Sequence, residues 1–488
     1  MKQCSPRTEV GRGEKMGKLV NFYTIVLVVI LLAATILTAG CGCLRQACQP
    51  YGPRVTGDGT GGAIAIYEDI KGSNQHDFYV QKISPDGNPL WGEKGVLTGS
   101  GYKECDSFHE LHIVSDGSGG AIIAWSAYPS KPDWKQPPGQ RQFPYLTHIT
   151  RVDSEGSILW QKEVRGVDHM VSDNAGGAVI ATDNTYNERT LLVTKLDSDG
   201  GFPWGEDGVS FYVDGYQANS LQLVSDSDGG AIIAWQERTG DPGERVTCVY
   251  TQKVNTEGSQ SWGQDGVLLY TSSEEAGAEE LRLTGDGSGG AIAVWMQVPR
   301  GKVEDDSPKA LLWDICAQRL DAQGNTLWTE NGIRLGITEE GGQCPTNRVV
   351  ASDGSGGAIA IWEDLRKGLT SVYAQRIDAL GDIQWQPGGE EVCYIDRNSS
   401  FWPYMAVSDG AGNAIVSFGT RAQKIDAVGN MVWPANGVVF AAGGANSIAY
   451  DGYGGIVVAW GESRRSYVQR LSNEGRPLWG NKGIKLIP

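Results

Sequence analysis

Long helical periodicity is what this chain most clearly lacks. No extended run of its 488 residues repeats apolar side chains every 3.6 positions, and 68 glycines interrupt it, so a helical bundle is excluded. The nine cysteines include no CxxC pair, no metal-type spacing and no adjacent pair, which removes the usual sequence signals of a zinc or dithiol site. Positive charge is in deficit. Lys and Arg number 41 against 58 Asp and Glu, a net −17, and removing residues 1–40 takes it to −20. That balance argues against docking on nucleic acid or anionic lipid and suits the solubility of a large Asp-rich surface.

What is present is an internal repeat, seen in full at Ser352-Asp353-Gly354-Ser355-Gly356-Gly357-Ala358-Ile359-Ala360-Ile361-Trp362. Its Asp falls at Asp58, Asp116, Asp173, Asp226, Asp286, Asp353, Asp409 and Asp451, and a glycine follows each by three residues. A second signal follows in every copy, as in Gln318-Arg319-Leu320-Asp321-Ala322-Gln323-Gly324-Asn325-Thr326-Leu327-Trp328. Its Trp recurs as Trp91, Trp160, Trp204, Trp262, Trp328, Trp385, Trp433 and Trp479, each four residues after a glycine. One place in the signal is always basic: Lys82, Arg151, Lys195, Lys253, Arg319, Arg376, Lys424 and Arg470.

Asp bonds its own backbone and Gly supplies positive φ, so both signals read as tight hairpins. Ala231-Ile232-Ile233-Ala234-Trp235 is apolar on both alternating faces, the pattern of a strand covered on both sides. Unit three lacks the Trp of this run, and Asp183 is read in its place. A second strand such as Val372–Ile377, a short last run such as Gly332–Leu335 and the segment before the turn Asp bring the count to four strands per unit. Eight such units predict an all-β eight-bladed β-propeller of four-stranded antiparallel blades. One ring then consumes the length that would otherwise suggest about three domains.

The units span about 53–98, 110–168, 169–214, 218–272, 279–338, 346–395, 403–441 and 446–488. The sequence ends directly after unit eight and no spare strand precedes unit one, so closure is expected without strand exchange between the termini. A further turn at Trp328–Gly332 would shift which strand belongs to which blade. Turn-to-turn intervals run from 42 residues (Asp409 to Asp451) to 67 (Asp286 to Asp353), and that variation belongs in loops on one face. The largest insertion, Ser126 to Thr147, carries Tyr128, Trp134, Phe143 and Tyr145 among five prolines. The second, Met296 to Trp313, carries Glu304, Asp305 and Asp306.

Residues 1–40 read as a secretory signal: Arg12, Lys15 and Lys18 precede an apolar run from Tyr23 to Ala39, and Met16 is an alternative start. Thr38-Ala39-Gly40-Cys41 resembles a bacterial lipoprotein signal, with Thr38 where that pattern usually has Leu. The resemblance implies lipidation at Cys41 and a tether over 41–52; an uncleaved anchor is the alternative. Both place the propeller outside the cytoplasm, membrane-anchored in the cell envelope. A Cys43–Cys48 bridge and free thiols both fit the cysteines, with Cys105, Cys344 and Cys393 between units and Cys248 and Cys316 on strands.

The paired signatures resemble a repeat of many bacterial surface and secreted proteins. More distantly, the second resembles the tryptophan-docking motif of quinoprotein-type eight-bladed propellers, with one residue fewer between Asp321 and Gly324. That resemblance implies that the eight Trp side chains dock blade on blade, and its relatives include quinone-dependent dehydrogenases and an outer-membrane assembly scaffold. The basic residue then lies over a Trp face or is a solvated outer-strand charge.

Catalytic signals are weak. The adjacent cysteines of the quinone enzymes are missing, and the acidic residues recur in every unit, as structural parts do. Ser84–Trp91 looks superficially like a sialidase Asp-box, but its spacing is off by one. His109-Glu110-Leu111-His112 is one residue short of the zinc-protease motif and sits in a strand-like segment. Each Asp-Gly turn offers one carboxylate, little for calcium, and no cofactor is expected. The expectation is a monomeric binding or assembly scaffold for an envelope protein or polysaccharide, using the variable loops with Tyr128, Trp134, Phe143, Tyr145 and Trp313. The alternative is an extracytoplasmic enzyme, carbohydrate-active or quinone-dependent, which requires non-repeating polar residues clustered at a deep axial pocket.

Overall fold

The computed structural model describes residues 52–71, 75–103, 110–127, 146–184, 189–213, 218–239, 246–272, 276–299, 314–337, 349–364, 371–394, 404–441 and 443–486. The chain divides into Met1–Cys48, which lies outside the described residues, and Gln49–Pro488. Thirty-two strands, numbered β1–β32 in chain order, form eight four-stranded sheets, and no helix occurs among the described residues. Each sheet is an antiparallel meander of consecutive strands; the first comprises β1 (Arg54–Gly57), β2 (Ala63–Lys71), β3 (Gln75–Ile83) and β4 (Val96–Lys103).

The first strand of each blade is the innermost. These are β1, β5 (Leu111–Ser115), β9 (His169–Ser172), β13 (Ala218–Ser225), β17 (Ala276–Gly285), β21 (Val349–Ser352), β25 (Tyr404–Ser408) and β29 (Ala445–Tyr450). Each touches the next in turn, and β29 touches β1, which completes an eight-bladed propeller. No strand is exchanged at the seam. There Arg54 Nη1 donates to the Asn446 carbonyl at 2.5 Å and the Val55 N–H to Ser447 Oγ at 3.1 Å. The turn after Trp328 closes with the Gly332 N–H on the Thr329 carbonyl. It lies within blade five and shifts no strand.

The turn Asp organises its own blade. In all eight copies one carboxylate oxygen accepts the N–H groups two and four residues on, as Asp353 Oδ1 does from Ser355 at 2.8 Å and Gly357 at 2.7 Å. A Cβ on Gly357 would stand 2.3 Å from the Ile377 carbonyl oxygen, so only glycine lets the turn close on the third strand. In blades two to eight the other oxygen lies 2.9–3.5 Å from the basic residue of the same blade. That residue is therefore neither a solvated charge nor, in general, a lid on an indole. Lys195, 6.0 Å from the Trp204 ring centre, comes nearest to the latter.

The recurrent Trp joins blade to blade. Each indole N–H donates at 2.8–3.3 Å to a carbonyl in the outer turn of the next blade, ending with Trp479 on the Pro85 carbonyl across the seam. The glycine four residues before each Trp is the floor for the preceding blade's indole: a Cβ on Gly324 would stand 2.7 Å from Trp262. The sequence reading missed a buried Gln one position before the basic residue. Gln81, Gln252, Gln318, Gln375, Gln423 and Gln469 each accept the backbone N–H of their own blade's Trp and donate to a carbonyl beyond it. Blades two and three carry Thr150 and Thr194 there.

A second aromatic layer lies on the second strands. Trp125, Trp235, Trp295, Trp362 and Trp460 are buried, and Trp235 and Trp460 stack on Tyr250 and Tyr467 at 5.6 and 5.5 Å. Register puts Thr182, not Asp183, at this place in blade three. The Thr182 hydroxyl donates to the Gly166 carbonyl at 3.0 Å. The expected insertion ends are also strand residues: Ser126 and Thr147 pair across β6 (Ala121–Ala127) and β7 (Leu146–Val152), and buried Met296 lies on β18 (Ala291–Pro299).

Arg376→Met would leave the fully buried Asp353 carboxylate without its cation and should cost about 3–5 kcal/mol in urea unfolding. Adding Asp353→Asn should recover much of that loss, whereas a cost below about 1 kcal/mol for the single change would remove the pair from the account.

The tight turns of both kinds are acid-sensitive. The Ser157 N–H bond holds the Asp153 carboxyl below its ordinary value. Burial pushes the Asp409 and Asp426 carboxyls up, but bonds from Asn413 and Asn430, respectively, outweigh it and leave both lowered. Carboxyls lowered in the folded state contribute stability above their unfolded pKa and lose it as pH falls through the folded value. The urea midpoint should therefore drop below about pH 4; equal midpoints at pH 7 and pH 3 would contradict this.

Candidate ligand-binding site

All five side chains expected to face a ligand, Tyr128, Trp134, Phe143, Tyr145 and Trp313, lie outside the described residues, as do Cys41, Cys43, Cys48, Cys105, Cys344, His109 and the acidic run Glu304 to Asp306. Cys248, Cys316 and Cys393 are buried free thiols. Burial pushes Cys316 and Cys393 up to about 12, which makes them poor nucleophiles at neutral pH. Among the described residues no group of three or more His, Cys, Asp or Glu is placed to hold a metal ion.

The site comes from a different position. Four residues before each turn Asp, on the innermost strand, stand Arg54, His112, His169, Gln222, Arg282, Val349, Met405 and Ser447. Strict blade equivalence puts them at one level around the axis, towards the end opposite the Asp turns. The turn Asp, the glycines, the Gln, the basic residue and the Trp are held to type by contacts made in blade after blade. This axial level changes from a polar arc over blades one to five to an apolar arc over blades six and seven. A cavity of about 270 Å³ opens beside it, lined by Gln222, Arg282, Leu283, Val349, Val350, Met405, Ala406 and Ile448. Lining from the innermost strands of five consecutive blades places it on the axis.

The polar arc is ordered. Arg282 Nη1 donates to the Leu281 carbonyl at 2.8 Å and Nη2 pairs with Glu280 at 3.2 Å. Gln222 Nε2 donates to the Leu221 carbonyl at 2.7 Å. Glu110 Oε2 lies 3.7 Å from His112 Nε2, and His112 itself is on strand β5, not on a helix. Crowding by the protein, then the charge of His112, pushes His169 down to about 4, against the opposing bond to the Leu221 carbonyl. Asp168 keeps an exposed edge, but exclusion of water and the nearby Glu110 and Asp183 carboxylates push it up to about 6, opposed by the bond from the Asp183 N–H.

A groove of about 220 Å³ adjoins this rim between blades four and five, lined by Ser220, Gln236, Glu237, Arg238, Thr247, Ala278 and Glu280. It is reached from the axial cavity across the Glu280–Arg282 ion pair. Counting back four residues from each turn Asp would have exposed the axial ring in the sequence. The groove has no such signal, because it depends on two bulges.

No protein-family model and no curated protein matches the chain. Among solved structures it is similar to the polysaccharide lyase Uly1, with a TM-score of 0.44 and 10% identity over 78% of this chain and 88% of that one. It is also similar to Kuenenia stuttgartiensis hydrazine synthase (TM-score 0.37, 10% identity, 89% and 99% covered). Penicillium chrysogenum α-L-arabinanase gives 0.36 and 14% identity over 75% and 93%. Likeness at this level carries no functional argument.

Proposed function

We propose that this propeller is an extracytoplasmic binding scaffold, tethered to the membrane through Cys41 or an uncleaved N-terminal segment. It takes an envelope protein or polysaccharide at the loop end of its axis. The observation that carries the reading is the axial ring, where a strict eightfold repeat gives way to a polar arc and an apolar arc around a cavity. Repeated positions serve blade packing; a level freed from that constraint is where a ligand would be read. The sequence resemblance to bacterial surface and secreted repeat proteins, and the acidic charge, support the same address. The loops 128–145 and 300–313 leave from this end and add contact area in this reading.

A second reading, an enzyme acting on a polysaccharide, is favoured by His169 and Asp168. His169, pushed down to about 4, and Asp168, pushed up to about 6, are two perturbed titratable groups on one stretch of the axial rim, and such groups collect where protons are transferred. Neither reading calls for calcium at the turn carboxylates, whose oxygens accept backbone N–H groups in every blade and face a Lys or Arg in blades two to eight.

The binding reading is tested by capture on immobilised polysaccharides and envelope extract. His112→Asn combined with Gln222→Ala, or deletion of 128–145, should reduce capture about tenfold or more while leaving the thermal transition in place. Unchanged capture by both variants would remove the axial end from the account. EDTA should leave the melting temperature within about 2 °C of its value in calcium; a larger fall would make the turns cation sites. New reducing ends from a polysaccharide panel at pH 7, lost in His169→Asn, would favour the enzyme; none from the wild type would leave the scaffold.

A further inference from the structure

Among the described residues, the two innermost strands beside the groove between blades four and five are the longest of the eight. The innermost strands β13 and β17 are 8 and 10 residues long, against four to six in the other blades. Both gain their extra length by passing a bulge at the same point of the repeat, between Asn219 and Gln222 and between Glu279 and Arg282. Ser220 and Glu280, six residues before their turn Asp, take φ of 59° and 57°. L-residues adopt that region at a conformational cost, and such strain collects where a side chain must be aimed. Here it turns both side chains onto one groove.

The floor supplies an independent signal. Gln236, on β14 (Ala231–Thr239), is 3% exposed, and its Nε2 has no hydrogen-bond acceptor. A buried amide N–H left unmet is destabilising unless something arrives to accept it. Beside it stand Glu237, 6% exposed, and Thr247, 3% exposed, with Arg238 at the rim. Glu237 and Arg238 already hold partners of their own.

We infer that this groove is a subsite for one uncharged sugar ring or similar polyol, resting on the proposal that the loop end binds a polysaccharide. A sugar hydroxyl donates and accepts at once, and the groove offers both an amide and hydroxyls and two carboxylates. A monoanion would meet Glu237 and Glu280, with only Arg238 in its favour on the lining, since Arg282 is held by Glu280. An apolar group would leave the Gln236 amide unmet. The volume, about 220 Å³, equals roughly seven waters at about 30 Å³ each, the scale of a single hexose.

The test is saturation-transfer NMR on the full chain in a zwitterionic detergent, because sugar-headed detergents would compete. The probes are the methyl glycosides of glucose, galactose, mannose and N-acetylglucosamine, with methyl glucuronide as the anionic control. At least one neutral glycoside should respond at about 10 mM or below. Gln236→Leu should weaken that response about tenfold while the melting temperature stays equal or rises. Ser220→Gly, which relieves the positive φ and removes a hydroxyl, should weaken the response while stabilising the fold. No response from any neutral glycoside, an unchanged response in Gln236→Leu, or a stronger response to the glucuronide would overturn the inference. Polysaccharide capture retained without a glycoside response defeats the subsite alone. A glycoside response without capture defeats the wider reading and leaves the subsite.

Discussion

The structure depends on a hand-over of hydrogen bonds from each blade to the next. It takes two forms, set by the chemistry of the basic residue. Where that residue is Arg, the guanidinium and the indole share one carbonyl. Ala427 accepts from Trp385 Nε1 at 3.2 Å and Arg376 Nη1 at 2.9 Å, and Ser198, Ala379 and Pro85 do the same for blades two, five and eight. Where it is Lys, the ammonium reaches instead for a glycine carbonyl in the next blade's Asp turn: Gly119, Gly229, Gly289 or Gly454. A planar fork can bond its own Asp and the neighbour's outer turn together; a compact ammonium bonds the neighbour's Asp turn and stands 3.3–3.5 Å from its own Asp in blades three, four and seven. The two solutions alternate irregularly round the ring without disturbing it.

This division explains where function can reside. The Asp, Gly, Gln, basic residue and Trp of each unit are committed to turn closure, strand spacing and blade contact. They recur because every blade faces the same demands. Residues on the innermost strand towards the loop end share no such repeated duty, although Arg54 and Ser447 also serve the seam, and there the chain departs from its own pattern: Arg54 and Arg282 on opposite sides of the ring, two histidines between them, Val349 and Met405 completing the circle. The bulges that lengthen β13 and β17 are a further departure, and they open the groove beside that rim.

Much of the architecture was legible in the sequence, since turn Asp, glycine and Trp act over a few residues and repeat eight times. The partners of the basic residues were not legible. Arg376 finds Asp353 because the end of the third strand pairs with the start of the second, next to the Asp turn, a consequence of sheet register and not of spacing. The buried Gln stood in plain view within the second signal, but its task, gripping the Trp-bearing corner, needs the corner's path. Asp183 was mistaken for the occupant of the apolar slot in blade three because a missing Trp leaves nothing to count from; pairing with β11 (Thr190–Leu196) fixes Thr182 there. His112 stood in a segment already read as strand-like, but only the identity of the innermost strand brings it to the axis.

If the hand-over closes the circle, the seam between blades eight and one must be as well protected as any other junction. Native-state hydrogen exchange of the indole N–H groups measures this directly, because each of the eight docking Trp side chains reports one junction. The account predicts that Trp479, bonded to the Pro85 carbonyl at 3.0 Å, exchanges together with the indoles of the internal junctions, through one cooperative opening. Fast exchange at Trp479 against slow exchange at the others would mean an open stack of blades and would contradict it.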